Sequence, residues 1–377
     1  MPENYSVGTG AHLSPPEPTA WTLASAGAPT TYPKSRFIDI SWMRASMQGK
    51  IGCCVGCSGE EAVRQIIFLL TGKQCNPNTP DELSFRFIYA LAKGLDGVAD
   101  EGTFPALVAN IVRKFGVPLA KYCPNDVTLT HEAFVYNRKM KDKDSIIAIL
   151  GQEAYDDAQS RRAGANLTEP VSLDGLKKAI NYAADNKGGV MILRRVGDTY
   201  WTGKDGIATW DKEKLLPIRV PKVFTSGHEE FLYGYDEEPE TGRVRLYWLN
   251  HWSEKWADNG RGWEYADEWL PYIGELRVVV AEVPVVTDFR YTFTKTMARG
   301  AKGADVLALQ HILKLENCYP IGTPFTGYFW DKTFAGVVQF QEKYASDILA
   351  PLGLTHGTGI VGKATLKKLN ELYQVTN

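Results

Sequence analysis

The sequence predicts an α+β protein that is followed by a small all-α unit. Apolar residues recur at helical spacing over 62–70, directly after a loop rich in glycine and cysteine. Apolar and polar residues alternate in short runs between 226 and 283, which indicates strands. From 289 onward, glycine-marked turns again separate segments with helical spacing. Helices that precede a block of strands, instead of alternating with them, are typical of the α+β class.

Composition limits the possible partners. At 377 residues the chain is long enough for two domains, each with its own core. A hydrophobic content of 44% and a charged content of 23% are those of an ordinary globular protein. The formal net charge of −2 provides no basic surface, so we expect no nucleic-acid partner. No apolar run approaches the ~20 residues of a membrane span, and we expect no membrane insertion.

The N-terminal region predicts an extended arm without a signal peptide. Met1–Tyr5 lacks the basic and apolar regions of a secretory signal. We therefore expect a protein that acts in the cytoplasm where it is made, or one that leaves by lysis or inside a virion. Residues 1–35 are rich in Pro, Ser, Thr, Gly and Ala, which predicts an arm with little secondary structure.

A loop with three cysteines, Gln48–Ala62, leads into the first turn of the predicted helix. A thiol at a helix start lies near unpaired backbone N–H groups and the positive end of the helix dipole. This environment favours the thiolate, which is the nucleophilic form. The loop therefore predicts a cysteine nucleophile, provided that a histidine from elsewhere in the chain reaches it. The crowding of three of the six cysteines here is unlike a disulfide framework, so we expect free thiols.

The rest of the first part predicts more helices and then a sheet. Helices are expected over 83–91, 106–115, 145–151 and 173–184. Strands are expected over 189–194, 226–236, 243–249 and 276–283. His228 lies at the start of the second of these strands, and Asn250 directly follows the third. The polar section 125–220 is longer than the elements within it require, and we interpret it as an insertion.

These motifs, in this order over about 36–285, resemble the papain-like cysteine peptidases. That family has a glutamine, a glycine-containing loop and a catalytic cysteine at a helix N-terminus. Its His-Ala-Val-x-x-Val-Gly-Tyr motif is similar to 228–235, and its Asn-Ser-Trp-Gly motif is similar to 250–253. The resemblance implies a two-lobed fold, with a helical lobe and an antiparallel β-sheet lobe. Cys54 and His228 are 174 residues apart, more than the ~130–150 of papain, which agrees with an insertion.

Two alignments of the cysteine loop are possible. Aligning Gln48–Cys54 with the Gln-Gly-x-Leu-Gly-Ser-Cys form of bacterial and viral relatives makes Cys54 the nucleophile, six residues after the glutamine. Aligning Cys54–Cys57 with the family's Cys-Gly-Ser-Cys makes Cys57 the nucleophile. We prefer Cys54 because that alignment keeps the family's spacing between glutamine and nucleophile. In that alignment Val55 stands where the family usually has tryptophan.

The resemblance implies a role for each matched residue. Cys54 is the implied nucleophile, His228 takes and returns its proton, and Asn250 orients the imidazole. Gln48 and the backbone N–H of Cys54 are the implied oxyanion donors. Gly102 and Thr103 would hold the substrate strand, and Trp252 would cover the histidine and asparagine. The implied substrate is a peptide or protein. We expect no cofactor and no metal, because the Cys54-x-x-Cys57 spacing has no second pair to complete a zinc site.

Four residues depart from the family pattern and leave an alternative open. Glu229 and Glu230 replace small or apolar residues beside the histidine, His251 replaces serine, and Ser253 replaces glycine. A carboxylate beside His228 could raise its pKa or misdirect the ring. The alternative hypothesis is therefore a catalytically inactive papain-like scaffold that acts as a cell-wall-binding or virion structural protein.

The C-terminal part resembles the three-helix peptidoglycan-binding domain that accompanies many wall hydrolases. Three segments carry this resemblance over about 293–373, and they are 299–313, 326–341 and 357–369. A glycine–threonine pattern recurs before the second and third helices and suggests an internal duplication. The resemblance implies peptidoglycan as a partner, a location at the cell wall, and a phage-encoded lysin or virion-associated enzyme. The predicted domains are the arm 1–35, the peptidase domain 36–288 and the wall-binding domain 289–377.

Overall fold

The structure is a computed structural model that describes residues 10–15, 21–23, 26–135, 150–197, 220–281, 290–319 and 325–374. The chain divides into two compact units. The first contains Met1–Pro16 and Trp21–Ala281, and the second contains Glu17–Ala20 and Glu282–Asn377. The predicted domain boundaries at 36 and 289 remain predictions.

A mixed sheet forms one half of the first unit. Its strands are β1 (Trp21–Thr22), β2 (Ser35–Phe37), β3 (Ala165–Thr168), β4 (Gly188–Gly197), β5 (Phe224–Glu237), β6 (Val244–Leu249), β7 (Arg261–Tyr265) and β8 (Ile273–Val280). The strand order is β1-β3-β8-β4-β5-β6-β7, and β2 pairs with β5. Neighbouring strands are antiparallel, except that β1 and β3 are parallel.

Helices form the other half of the first unit. They are α1 (Cys54–Thr71), α2 (Phe85–Leu95), α3 (Pro105–Lys114), α4 (His131–Val135), α5 (Gln152–Ala158), α6 (Leu173–Asp185) and α7 (Ala266–Trp269). The predicted α+β class is confirmed by this arrangement of helices and a mainly antiparallel sheet. The predicted helix 145–151 lies mostly outside the described residues.

Helix α1 is the central element of the first unit, and its residues from Cys54 to Ile66 are all buried. Two glycines allow its close approach to the neighbouring helices. A Cβ atom at Gly56 would lie 3.0 Å from the carbonyl oxygen of Phe85 in α2, and one at Gly59 would lie 2.5 Å from Val108 in α3. The helix ends at Gly72, whose φ of 74° is the left-handed conformation that glycine adopts at helix ends.

The middle section 125–220 contributes two strands to the sheet. Strand β4 of this section pairs with β5 on one side and with β8 on the other, so it lies in the interior of the sheet. Strand β3 pairs with β8. The strand expected over 189–194 lies within β4, and the interpretation of the section's excess length as an insertion remains a prediction. The described residues of this section also include the predicted helix 173–184, which is α6.

The second unit is all-α in the part that the structure describes. Its helices are α8 (Ala304–Leu315), α9 (Asp331–Lys343), α10 (Ala345–Ile348) and α11 (Lys363–Tyr373). Helices α8, α9 and α11 correspond to the three predicted helices. None of the helices in the described ranges of either unit combines the length and apolar character that crossing a membrane requires.

Two glutamines make the same set of hydrogen bonds in the second unit. The amide of Gln310 in α8 bonds the next helix start through Gly327 N–H at 3.0 Å, Tyr328 O at 3.0 Å and Thr333 Oγ1 at 2.8 Å. The amide of Gln341 in α9 bonds the start of α11 through Gly359 N–H at 3.0 Å, Ile360 O at 2.8 Å and Thr365 Oγ1 at 2.9 Å. The repeated bonds agree with the internal duplication predicted from the sequence.

Candidate active site

The sulfur of Cys54 lies where helix α1 meets strand β5. Cys54 is the first residue of α1, and its side chain is completely buried. The backbone N–H groups of Glu229 and Val55 hydrogen-bond the sulfur. Because Glu229 directly follows His228 in β5, the thiol lies against the strand that carries the histidine singled out by the sequence. Helix α1 and strand β5 thus meet although 174 residues separate Cys54 from His228.

His228 and Asn250 form a buried hydrogen-bonded pair. The Nε2 atom of His228 lies 2.9 Å from the Oδ1 atom of Asn250, and both side chains are fully buried. The same oxygen accepts a 2.8 Å bond from the backbone N–H of His251. An amide oxygen can only accept, so Nε2 of His228 carries the ring proton. In the neutral ring, Nδ1 then has the lone pair that a general base needs.

The indole ring of Trp252 lies over the imidazole of His228. The two ring centroids are 4.9 Å apart, with an angle of 31° between the ring planes. Trp252 is buried and makes an edge contact with Trp256 at 5.7 Å. These aromatic rings exclude water from one face of the histidine.

Gln48 is the first residue of the cysteine loop. Its backbone N–H donates to the carbonyl oxygen of His251 at 2.9 Å. Its side-chain amide donates to the carbonyl oxygen of Ile51 at 3.0 Å, and the side chain is fully buried. These two bonds hold the glutamine in a fixed orientation between the cysteine loop and the segment that carries Asn250.

The surroundings of Cys57 favour Cys54 as the nucleophile. Cys57 belongs to a buried apolar cluster that also contains Phe85, Tyr89 and Phe134. Burial and a side-chain hydrogen bond with Cys53 raise the pKa of Cys57 well above its ordinary value. A thiol packed among aromatic rings between helices is a core residue, whereas the sulfur of Cys54 faces the strand of His228.

The expectation of a thiolate at the helix start is wrong for the structure as it stands. Burial raises the pKa of Cys54, and the N–H groups of Glu229 and Val55 only partly offset this effect. Burial also lowers the pKa of His228 well below its ordinary value, and the neighbouring His251 lowers it further. Desolvation favours the neutral form of both groups. Both shifts therefore favour an uncharged thiol and an uncharged imidazole.

The N-terminal arm is hydrogen-bonded to Thr103, in the segment that was predicted to hold a substrate strand. The backbone N–H of Thr103 donates to the carbonyl oxygen of Gly10 at 2.8 Å, and that of His12 donates to the carbonyl oxygen of Thr103 at 3.0 Å. The N–H groups of Gly10 and Ala11 both lie 3.2 Å from the carbonyl oxygen of Gly227, next to His228. The arm thus spans from the helical part to the sheet beside the candidate site.

The backbone groups of Gly102, which was predicted to help hold a substrate strand, are hydrogen-bonded to side chains of helix α2. Its N–H donates to the hydroxyl of Tyr89 at 2.9 Å, and its carbonyl oxygen accepts from Lys93 at 2.9 Å. Its backbone polar groups therefore bond helix α2, and those of Thr103 face the arm. A side chain at Gly102 would place Cβ 1.5 Å from the carbonyl oxygen of Gly10, so only glycine allows the arm this close.

Two of the residues that depart from the family pattern, Glu230 and His251, form buried ion pairs. Glu230 bonds Arg194 at 2.6 Å, and Arg194 also pairs with Glu264. His251 pairs with Glu61 of α1 at 3.1 Å, and its other ring nitrogen lies 2.7 Å from the carbonyl oxygen of Glu229. Burial alone would lower the pKa of His251, but the Glu61 carboxylate outweighs it and raises that pKa. Both ring nitrogens of His251 face acceptors, so both donate.

The other two departures have different consequences. Ser253 adopts a φ of 70°, a conformation that suits the glycine found in the family. Glu229 is fully buried, and within the described part of the chain neither of its carboxylate oxygens has a hydrogen-bond partner.

Sequence reasoning missed Glu61 and Arg194 as supports of the site. A signal for Glu61 was present, because Cys54, Ser58 and Glu61 share one face of a helix at the i, i+4, i+7 spacing. The hydroxyl of Ser58 lies 3.5 Å from the same His251 ring. No local signal identifies Arg194, whose partners lie on two other strands.

Comparison with known proteins identifies the fold. No protein-family profile and no curated protein matches the sequence. Xylellain, a cysteine protease from Xylella fastidiosa, superimposes with a TM-score of 0.52 at 17% identity, over 75% of this chain and 99% of that one. Procathepsin B S9 from Trypanosoma congolense has a TM-score of 0.49 at 15% identity, over 73% of this chain and 87% of that one. The superposition on xylellain shows that the chain has the fold of the papain-like cysteine proteases, and at 17% identity the likeness concerns the fold alone.

Proposed function

We propose that this chain is a cysteine peptidase in which Cys54, His228 and Asn250 form the catalytic triad. One observation carries the proposal. The 2.9 Å bond between His228 and Asn250 sets the tautomer of a histidine whose neighbouring N–H group bonds the sulfur of Cys54. A nucleophile, a base and a group that orients the base are the parts that acyl transfer to a thiol requires.

The proposed reaction follows from these positions. The Cys54 sulfur attacks the carbonyl carbon of a peptide bond while its proton passes to Nδ1 of His228. The backbone N–H of Cys54 and the amide of Gln48 stabilise the oxyanion, a contribution of about 10²–10³ in rate for one such donor. His228 then protonates the leaving amine, and the C–N bond breaks to leave a thioester. Water, deprotonated by His228, hydrolyses the thioester and releases the thiol.

The arm is proposed to keep the enzyme latent. Residues 10–12 of the arm use the backbone groups of Thr103 and Gly227 that an extended substrate would need. Because burial is the first cause of both pKa shifts, exposing the site would lower the pKa of Cys54 and raise that of His228. Opening the arm would thus bring the two groups closer to the thiolate–imidazolium pair that reacts.

Loosening the arm is expected to increase the hydrolysis of a fluorogenic peptide. The substitution His12→Pro removes the N–H that bonds Thr103 and leaves the cleft residues unchanged. If the open form is about 0.1–10% populated in the wild type, the rate of hydrolysis should increase by about 10- to 1,000-fold. Leu13→Ala is the control, since the side chain of Leu13 is 64% exposed. Equal rates for both variants and the wild type would refute the latency proposal.

We further propose that the second unit binds peptidoglycan and holds the peptidase at the cell wall. The resemblance to wall-binding domains supports this proposal. The matching hydrogen bonds of Gln310 and Gln341 also support it, because they position two similar turns. Each of the two turns bonded by Gln310 and Gln341 also carries an exposed apolar residue, Trp330 in the first and Ile360 in the second. Attachment raises the local concentration of the enzyme at its substrate without a new contact at the active site.

Sedimentation with purified sacculi tests this binding in the full chain. We expect the wild type to pellet with the sacculi, and Trp330→Ala to weaken the apparent affinity at least about tenfold, as for an aromatic anchor at an interface. Leu352→Ala is a matched control, because Leu352 is also exposed in the second unit. A wild type that stays in the supernatant would contradict the wall-binding proposal.

The proposed substrate is a wall peptide or a protein embedded in the wall, and the proposed setting is a phage-encoded lysin, a virion component or a bacterial envelope enzyme. The competing function is an inactive scaffold that only binds. Hydrolysis of a peptide library and of sacculi by wild type and Cys54→Ala, measured in parallel, separates the two. Release of new amino termini by the wild type alone supports the peptidase. If neither protein releases any, and the variant His12→Pro with the loosened arm also releases none, the scaffold hypothesis is correct.

A further inference from the structure

Glu229 is a buried carboxyl group directly next to the proposed catalytic histidine. Its side chain is fully buried, and neither carboxylate oxygen has a hydrogen-bond partner among the residues that the structure describes. The backbone of the same residue is fully used, since its N–H bonds the sulfur of Cys54 and its carbonyl accepts from His251. Buried polar groups in native proteins are nearly always paired, so this exception needs an explanation.

The carboxyl group faces the side of the sheet that the arm covers. Glu229 is directly opposite Leu193 of β4, which is directly opposite Glu275 of β8. Residues opposite each other in antiparallel strands project to the same face, so Glu229 and Glu275 belong to one row. The backbone N–H of Ser14 in the arm donates to Glu275 at 2.8 Å. Gly227, two residues before Glu229 and on the same face, is in contact with Ala11 of the arm.

The arginines on this face do not bond Glu229. Arg277 bonds Glu275 at 2.6 Å, and Arg195, which is opposite Gly227 and therefore on the same face, is exposed and lies over the ring of Phe224. Glu230 and Arg194, the other charged residues near Glu229, bond each other. Burial and the nearby Glu275 raise the pKa of Glu229 well above its ordinary value, so the unpaired group is held neutral. A cation at this position would allow the carboxyl group to ionise.

We propose that, once the arm has left, Glu229 receives a cationic group of the substrate, an ammonium or guanidinium on a residue close to the bond that is cut. The proposal rests on the proposed peptidase function and adds a substrate class to it. The cation could belong to a lysine or arginine of a protein, or to the free amine of a diamino acid in a wall peptide. Both sources present the same chemistry to the carboxylate, and a bond of this kind is charge-assisted.

The test compares peptides that carry lysine with isosteric peptides that carry norleucine, at each position near the cut bond. The full chain is used, with His12→Pro in every variant to loosen the arm. We expect kcat/KM to favour the cationic peptide by about 10- to 100-fold, and Glu229→Gln to reduce this ratio to near one. Glu254→Gln is the control, because Glu254 forms an exposed pair with Arg44. A diamino-acid peptide in parallel distinguishes the wall source from the protein source.

A binding measurement keeps this inference testable if the chain does not hydrolyse peptides. Calorimetric titration of Cys54→Ala with the lysine and norleucine peptides should give the same preference, again removed by Glu229→Gln. Loss of hydrolysis with the preference retained would refute the peptidase and keep the cation site. Hydrolysis or binding that is equal for both peptides, or a preference that survives Glu229→Gln, would overturn the inference about Glu229.

Discussion

Replacing Cys54 by alanine is expected to abolish peptide hydrolysis. The attacking sulfur has no substitute in the proposed site, so the rate should fall by at least about 10⁴-fold, as when a nucleophile is removed from a triad. Because alanine is smaller than cysteine and equally suited to a helix, the fold should be retained. The measurement is kcat/KM on the best peptide substrate, with circular dichroism to verify the fold.

Cys57→Ala is the matched control for this experiment. Cys57 lies three residues further along the same helix, in the apolar cluster with Phe85 and Tyr89. Its replacement removes a similar volume from the core and should lower the free energy of unfolding, while the rate stays within a few-fold of the wild type. The reverse result, an active Cys54→Ala and an inactive Cys57→Ala, would show that the other alignment of the cysteine loop is correct.

Replacing Arg194 by methionine is expected to have the largest effect on stability. Arg194 is fully buried, pairs with Glu230 and Glu264, and lies 4.8 Å and 5.2 Å from the ring centroids of Trp248 and Trp269. Its removal leaves two carboxyl groups buried without their cation. Breaking a buried pair in this way costs about 3–5 kcal/mol of unfolding free energy, which should be measured by urea denaturation.

The stability lost in Arg194→Met should depend on pH. Burial already raises the pKa of Glu264 to about 7, although Arg194 lowers it. Without the arginine this pKa rises further, so between the unfolded value of ~4.3 and the raised value the folded state binds more protons than the unfolded state. Stability then falls as pH rises. We expect a small difference from the wild type near pH 5 and a large one near pH 8.

Arg44→Met is the control for this effect. Arg44 also pairs with a glutamate, Glu254, but the two side chains are 44% and 38% exposed. An exposed pair contributes only about 0–1 kcal/mol. If Arg194→Met and Arg44→Met lower the free energy of unfolding equally, the account of a buried charge cluster is contradicted. The same holds if the loss of unfolding free energy in Arg194→Met does not change between pH 5 and pH 8.

The sequence predicted the parts of the site that have local signals. Cys54 was recognisable because a glycine-containing loop precedes an apolar helical repeat, and the structure begins α1 at that residue. His228 and Asn250 each lie next to a strand with clear alternation, and the structure brings them together. The α+β class followed from the same periodicities. The roles of these residues in catalysis stay predictions until the experiments above are done.

The features that the sequence did not predict depend on pairing between distant segments. Strand β4 is an interior strand because β5 and β8 both pair with it, and its own pattern does not specify these partners. The arm was predicted to be extended, but its path past Thr103 and Gly227 depends on backbone hydrogen bonds that any residue can make. The raised pKa of Cys54 was missed because burial outweighs the helix N-terminus, and burial is a property of the whole fold.

The most direct test of the central claim is to locate the residue that an electrophilic peptide analogue alkylates. The full chain carrying His12→Pro is incubated with the analogue, and the adduct is mapped by mass spectrometry of tryptic fragments. We predict a single adduct on Cys54, formed about 100-fold more slowly when His228 is replaced by alanine, in line with the contribution of a general base. An adduct on another cysteine, or a rate on Cys54 that His228→Ala leaves unchanged, would contradict the proposed triad.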